Sequence, residues 1–395
     1  MPTSCDEVVV LNWATTDINR VESLGPVNWE ALVQFAVNTK RRHDGYNGPM
    51  TCQLSAEYNM GGLNLVRRLD FQDGTRWVAR LQLRKPTVMS AERLLREVHT
   101  MAVVRERSRI PVPEVYAYDA NYSNPVGVLF MIMEFIPGSS AMDSFGGFCV
   151  HHGETPWHFK PKYHATMADI QAQMTAIRFP KIGSIVKCHD GTYSVGPLPG
   201  IGGPFDSAAH FFEAWVAKTR FPCSDEVIRT RTPPELVDEV MRSIREFLSR
   251  FKEFAQLFHF GEGPFPLSHT DLYKSNVIID SQYNILSVID WEHALVVPWE
   301  IVKFPKDLAI VPRAMDGPLY NEDEATRRRL TERREYVELV REAERVRGLD
   351  NCLSATLENA QVQDLGQAIW LYEDGRVGFY GHVLDQILES FGFSH

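Results

Sequence analysis

Two short apolar runs framed by oxygen-bearing side chains constrain this chain most. The sequence reads His269-Thr270-Asp271-Leu272-Tyr273-Lys274-Ser275-Asn276, then Val277-Ile278-Ile279; after a polar stretch with Asn284 come Ile285 to Ile289 and Asp290. The two runs around a turn former predict a β-hairpin. Such a hairpin would bring three groups to one point: Asp271 before the first strand, Asn276 at its start and Asp290 after the second. A carboxylate that orients and deprotonates a hydroxyl, beside hard oxygen ligands for magnesium, is what phosphoryl transfer needs. A lone Asp or Asn in a loop is ordinarily a cap or turn former. Here the functional reading is favoured because the spaced residues abut two apolar strands.

The rest of the chain divides around a breaker pair, Pro137-Gly138. Before it, residues 28–42 pattern as a helix. Leu63–Phe71 and Trp77–Leu83 flank the hairpin signal Asp73-Gly74. A helix with Ser90 as its N-cap carries Leu94, Leu95, Val98, Met101 and Val104 on one face. Glu114–Tyr118 and Val126–Phe135 read as strands. Beyond the pair, residues 139–165 read as loop and Tyr163–Arg178 as a helix. Ile182–Phe205 is dense in Gly and Pro and reads as an ordered surface excursion. Helical patterns follow at Ser207–Thr219, Glu235–Phe258 and Glu322–Arg347, the last a charged face exposed to solvent. The expected fold class is α+β: a small β-rich lobe over residues 1–135 and a larger, mainly helical lobe over 136–395.

Composition narrows the partners. The net charge of −10 argues against the clustered basic surface that nucleic acid requires. No apolar stretch approaches the roughly 20 residues that span a bilayer. The six cysteines are dispersed without a C-x-x-C pair, and the N-terminus lacks a secretory pattern. The expectation is a cytoplasmic protein acting on a small molecule, with no nucleic-acid or membrane partner and its oligomeric state open.

The motif block resembles the catalytic loop and metal-binding segment of the aminoglycoside phosphotransferase and choline kinase-like family, relatives of the protein kinases. The branch it resembles most is common in filamentous fungi. The likeness extends over residues 51–299. It includes Trp77-Val78-Ala79-Arg80, Pro111-Val112-Pro113, Met133-Glu134-Phe135-Ile136-Pro137-Gly138 and Phe179-Pro180-Lys181-Ile182-Gly183-Ser184. It implies a protein-kinase-like two-lobed fold that uses ATP (or GTP) and Mg2+. Asp271 would be the catalytic base, His269 a residue orienting its loop, and Asn276 and Asp290 the magnesium ligands.

On the nucleotide side the chain departs from the protein kinases, which place a Lys where Arg80 stands. A guanidinium offers a bidentate fork to phosphate or carboxylate, and Glu97 on the following helix would position it. Gly61, Gly62 and Asn64 would form the phosphate loop, their backbone N–H groups approaching the phosphates. The hinge around Glu134 would meet the adenine. Asp290 to Glu324 holds eight carboxylates against Lys303, Lys306 and Arg313, with aromatics interleaved. Trp291 and Glu292 are therefore expected to hold a cationic acceptor, an amine-bearing alcohol. The competing readings are a pseudokinase or nucleotide-binding interaction module, and a kinase-fold enzyme with a different transfer reaction.

Overall fold

The computed structural model describes residues 27–60, 64–82, 87–121 and 123–390. They form two compact units. Those within Met1–Tyr163, Val186–Tyr193 and Leu272–His293 make one, and those within His164–Ile185, Ser194–Asp271 and Ala294–His395 the other.

In the first unit, helix α1 (Trp29–Asp44) starts at Asn28, whose side chain accepts the Ala31 N–H at 3.0 Å. Strands β1 (Cys52–Met60), β2 (Asn64–Phe71) and β3 (Arg76–Gln82) follow, then helix α2 (Val88–Arg107), β4 (Val115–Asp119) and β5 (Phe130–Glu134). The five strands form one antiparallel sheet in the order β1-β2-β3-β5-β4. The β2–β3 turn is the expected one, with Gly74 at φ 84° and Asp73 Oδ1 accepting the Thr75 N–H at 2.9 Å. One sheet face buries Leu65, Leu69, Trp77, Ala79 and Phe130 with α1 residues Leu32 and Ala36. Helix α2 packs Ala91, Leu94 and Val98 against Leu129 and Met131.

Two expected boundaries move. The N-cap of α2 is Thr87, and Ser90 is the reciprocal member of a capping box, each hydroxyl accepting the other's N–H. A Ser three residues inside a helix gives the same local signal as a cap. Strand β5 starts at Phe130 because Asn124 Oδ1 accepts the N–H groups of Val126 and Gly127 and holds them in a turn.

Strand β6 (Ser139–Ser140) follows the hinge and pairs with Val277–Ile279, which pairs with Ile285–Val288. This is the hairpin expected from the apolar runs. Gly138 is required by close approach: a Cβ there would lie 2.6 Å from the Ile279 carbonyl oxygen. Residues 139–165 are thus not all loop; they also hold a short helix, Phe148–His151, and the start of the helix Lys160–Thr175.

In the second unit, helices Val237–Leu257, Ala360–Glu373 and Tyr380–Ser390 bury Phe247, Phe251, Tyr372 and Tyr380 with Trp215. A three-stranded sheet joins Arg178–Phe179, Phe265–Ser268 and Leu295–Val296. The stretch 182–205 is no surface excursion, since Ile182, Ile185 and Leu198 are buried and Ser184–Lys187 and Tyr193–Gly196 are strands. The charged helix Glu324–Arg347 also has a buried side, where Glu344 accepts the N–H groups of Leu353 and Ser354. The architecture is α+β, a small antiparallel-sheet lobe and a helical lobe. Among the described residues no helix is long and apolar enough to cross a membrane, and the five described cysteines are free.

Candidate active site

Within the first unit, the sheet, helix α2 and the hairpin enclose a cavity of about 600 Å³. Asn59 and Asn64 line it from the facing ends of β1 and β2, whereas Gly61 and Gly62 lie outside the described residues. Glu134 and Phe135 line it from the hinge, Arg80 from β3, Glu97 from α2, and Asn276, Asp290 and Glu292 from the hairpin. Ser140 and Asp143, which sequence reasoning did not single out, line it as well.

Arg80 is the centre of the charge arrangement. Its Nη1 donates to Glu97 Oε2, and its Nη2 donates to Asp290 Oδ1 at 2.8 Å and Glu292 Oε2 at 3.3 Å. One guanidinium therefore faces three carboxylates. Burial works against the Arg80 charge, but Glu97, Asp290 and Glu292 outweigh it and hold the guanidinium firmly protonated. Burial pushes the Glu97 carboxyl up to about 7, with Asp290 and Glu292 adding repulsion against the pull of Arg80. Burial also works to raise Glu292, yet its His293 hydrogen bond and the Arg80 charge hold it below the ordinary range. The cluster is short of positive charge.

The hairpin gives the oxygen donors their places. Ile289 N–H donates to the Asn276 carbonyl at 2.9 Å, which draws the two strand ends together. Asp290 then sits at φ 65°, a left-handed conformation that costs a non-glycine residue and is held by its surroundings. The Asn276 side-chain oxygen and the Asp290 carboxylate are hard donors on one cavity, and together with the charge deficit they fit a divalent cation such as Mg2+.

Trp291 is not available to a ligand. It is 1% exposed, and its Nε1 donates to the Val288 carbonyl at 3.0 Å. Glu292 is turned to Arg80 and His293. The Glu134 carboxylate accepts the Glu114 N–H at 3.1 Å, so this side chain joins β4 to β5.

In the second unit, His269 is fully buried and its carbonyl accepts the Asp271 N–H at 2.7 Å. Thr270 is left-handed, at φ 57°. Asp271 Oδ1 accepts from Lys306 Nζ at 2.7 Å, a partner that no local pattern announces because it stands 35 residues later.

A sequence model of the APH phosphotransferase enzyme family matches residues 57–299. The chain belongs to the APH family. That match takes in the end of β1, strands β2 to β5, the cavity-lining segment at Glu134 and Phe135, and the whole 269–290 segment. Shorter stretches match two subtelomeric hrmA-associated cluster proteins of Aspergillus fumigatus. One is 28% identical over 142 residues, 35% of this chain and 26% of that protein. The other is 35% identical over 92 residues, 22% and 17% of the two chains. The APH chain thus aligns with about a quarter or less of either relative's length. Among solved structures it is similar to aminoglycoside phosphotransferase APH(4)-Ia in complex with ADP and hygromycin B, at 16% identity over 91% of this chain and 99% of that one, with a TM-score of 0.43. It is similar also to the macrolide 2'-phosphotransferase MphH of Brachybacterium faecium, at 15% identity over 93% and 99%, with a TM-score of 0.41.

Proposed function

We propose that this chain transfers the terminal phosphoryl group of ATP (or GTP) to a hydroxyl of a small molecule. The observation that carries the reading is the Arg80 guanidinium shared among Glu97, Asp290 and Glu292 in one cavity with Asn276. The cavity has the volume of a small-ligand site. In this reading Arg80, positioned by Glu97, holds phosphate oxygens. Asn276 and Asp290 would hold Mg2+, which when bound neutralises phosphate charge. Asp271 accepts the hydroxyl proton as the hydroxyl oxygen forms its bond to the γ-phosphorus and the bond to the β–γ bridging oxygen breaks. The products are a phosphate monoester and the nucleoside diphosphate. The lobe boundary near residue 135 and a cytoplasmic location belong to the same reading.

The amine-bearing acceptor is not supported by where its carboxylates lie. Asp290 and Glu292 are engaged by Arg80, and Glu300 is 4% exposed and accepts the Gly261 N–H. The test of the main reading is calorimetric titration of the purified chain with ATP and GTP, with and without Mg2+, followed by turnover against a panel of hydroxyl compounds. Metal-dependent binding with acceptor-dependent release of diphosphate is expected. Tight, metal-independent binding without transfer would mean a pseudokinase.

A further inference from the structure

Beside the proposed base, the second unit sets two lysines over one aromatic ring. Lys303 Nζ lies 4.4 Å from the ring centroid of Trp370, and Lys306 Nζ lies 5.4 Å from the same ring while contacting Asp271 Oδ1 at 2.7 Å. Trp370 comes from the helix Ala360–Glu373, far along the chain. Among the described residues Lys303 has no carboxylate within ion-pair distance. Glu373 is engaged by the Trp215 Nε1–H at 2.7 Å. An indole face attracts an ammonium group without neutralising it, so its charge stays available to a third party. Two ammonium groups over one ring, with Lys303 outside any ion pair among the described residues, offer N–H donors to which an anion can bind.

We propose that Lys303 and Lys306, seated on Trp370 beside Asp271, bind an anionic group of the acceptor, so that the acceptor is a hydroxyl compound bearing a carboxylate or phosphate. This rests on the phosphotransferase reading with Asp271 as base. It reverses the charge expected from the acidic residues of the surrounding segment. The surroundings of Lys303 penalise its charged form. Burial and the neighbouring Lys306 push its ammonium down to about 7, against the pull of Glu373, Asp271 and Asp374. A bound anion restores the charged form.

The test is steady-state kinetics of the full chain with Mg·ATP at pH 6.5. Three acceptor panels are compared: hydroxycarboxylates with sugar phosphates, neutral polyols and sugars, and amino alcohols. The anionic panel is expected to lead in kcat/KM by about tenfold or more, the equivalent of one charge-assisted hydrogen bond. Within it, the relative rates of carboxylates and phosphates tell the two anions apart. Lys303→Gln should raise KM for the best anionic acceptor about tenfold and leave the Kd for Mg·ATP unchanged, and Lys303→Arg should restore most of the loss. Mg·ATP binding with a preference for neutral or cationic acceptors overturns the proposal and spares the phosphotransferase reading. So does an unchanged KM in Lys303→Gln. Failure to bind Mg·ATP overturns both. If no panel member turns over, inorganic phosphate is the probe: calorimetric binding lost in Lys303→Gln supports the subsite, and equal binding in both proteins removes it.

Discussion

Arg80 Nη2 donates to Asp290 Oδ1 at 2.8 Å across 210 residues of sequence, while Nη1 of the same guanidinium holds Glu97. The planar fork makes this double hold possible, and a lysine ammonium would reach the two carboxylates with less directional control. With Glu292 also in range, Arg80 is the cation on which three buried or half-buried carboxylates depend.

Removing it should therefore cost stability. Arg80→Met is expected to lower the unfolding free energy by about 3–5 kcal/mol, since it leaves Glu97 buried without its cation and Glu292 with His293 alone. Arg80→Met combined with Glu97→Gln should recover part of that loss. Urea unfolding monitored by fluorescence measures both. A cost of about 0.5 kcal/mol or less, the size of an ordinary surface change, would mean that water already screens the cluster. In binding, Arg80→Ala should weaken ATP far more than adenosine, and equal losses would remove its phosphate role.

The metal prediction isolates the hairpin. Asp290→Ala should abolish the dependence of ATP binding on Mg2+, because the carboxylate that makes up half of the proposed protein ligand pair is gone. Calorimetry at matched ionic strength with and without Mg2+ gives the answer. A variant that keeps the full metal dependence would place the cation elsewhere.

Asp271→Asn should cut turnover by about 10²–10⁴, the usual contribution of a general base, with the Kd for ATP within a few-fold of the original. Single-turnover rates separate this from a binding loss. Near-normal turnover would take the base role away from Asp271.

Lys303 carries a pH signature in stability. Its ordinary value is 10.5 and in the folded chain burial, with Lys306, lowers it to about 7. Between those values the folded state binds fewer protons than the unfolded state, so this group adds stability as pH rises from 7 towards 10.5. Lys303→Met should thus be more stable than the parent below pH 7, with the gap closing as pH approaches 10. Thermal melts across pH 6 to 10 test the sign, and a gap that widens with pH would contradict it.

The sequence by itself determined what depends on neighbours in the chain. The β2–β3 turn at Asp73-Gly74, the hairpin after Asn276 and the amphipathic face of α2 follow from turn chemistry and from periods of two and 3.6 residues. Arg80 and Glu97 were legible as a pair through the family resemblance, which sets a basic strand residue against a Glu on the following helix. Sequence counting failed where it treated charge as a sum over a segment. Asp290 to Glu324 is acidic on average, yet Glu292 turns to Arg80, Glu300 to a backbone N–H, and the partner of Asp271 is Lys306. Trp291 looked like a ligand face and is buried against Val288. The tertiary structure alone decided these pairings and brought Trp370 under Lys303 and Lys306. The physical reason is that charge acts through distance and burial, and both are set by contacts between segments that no local period relates.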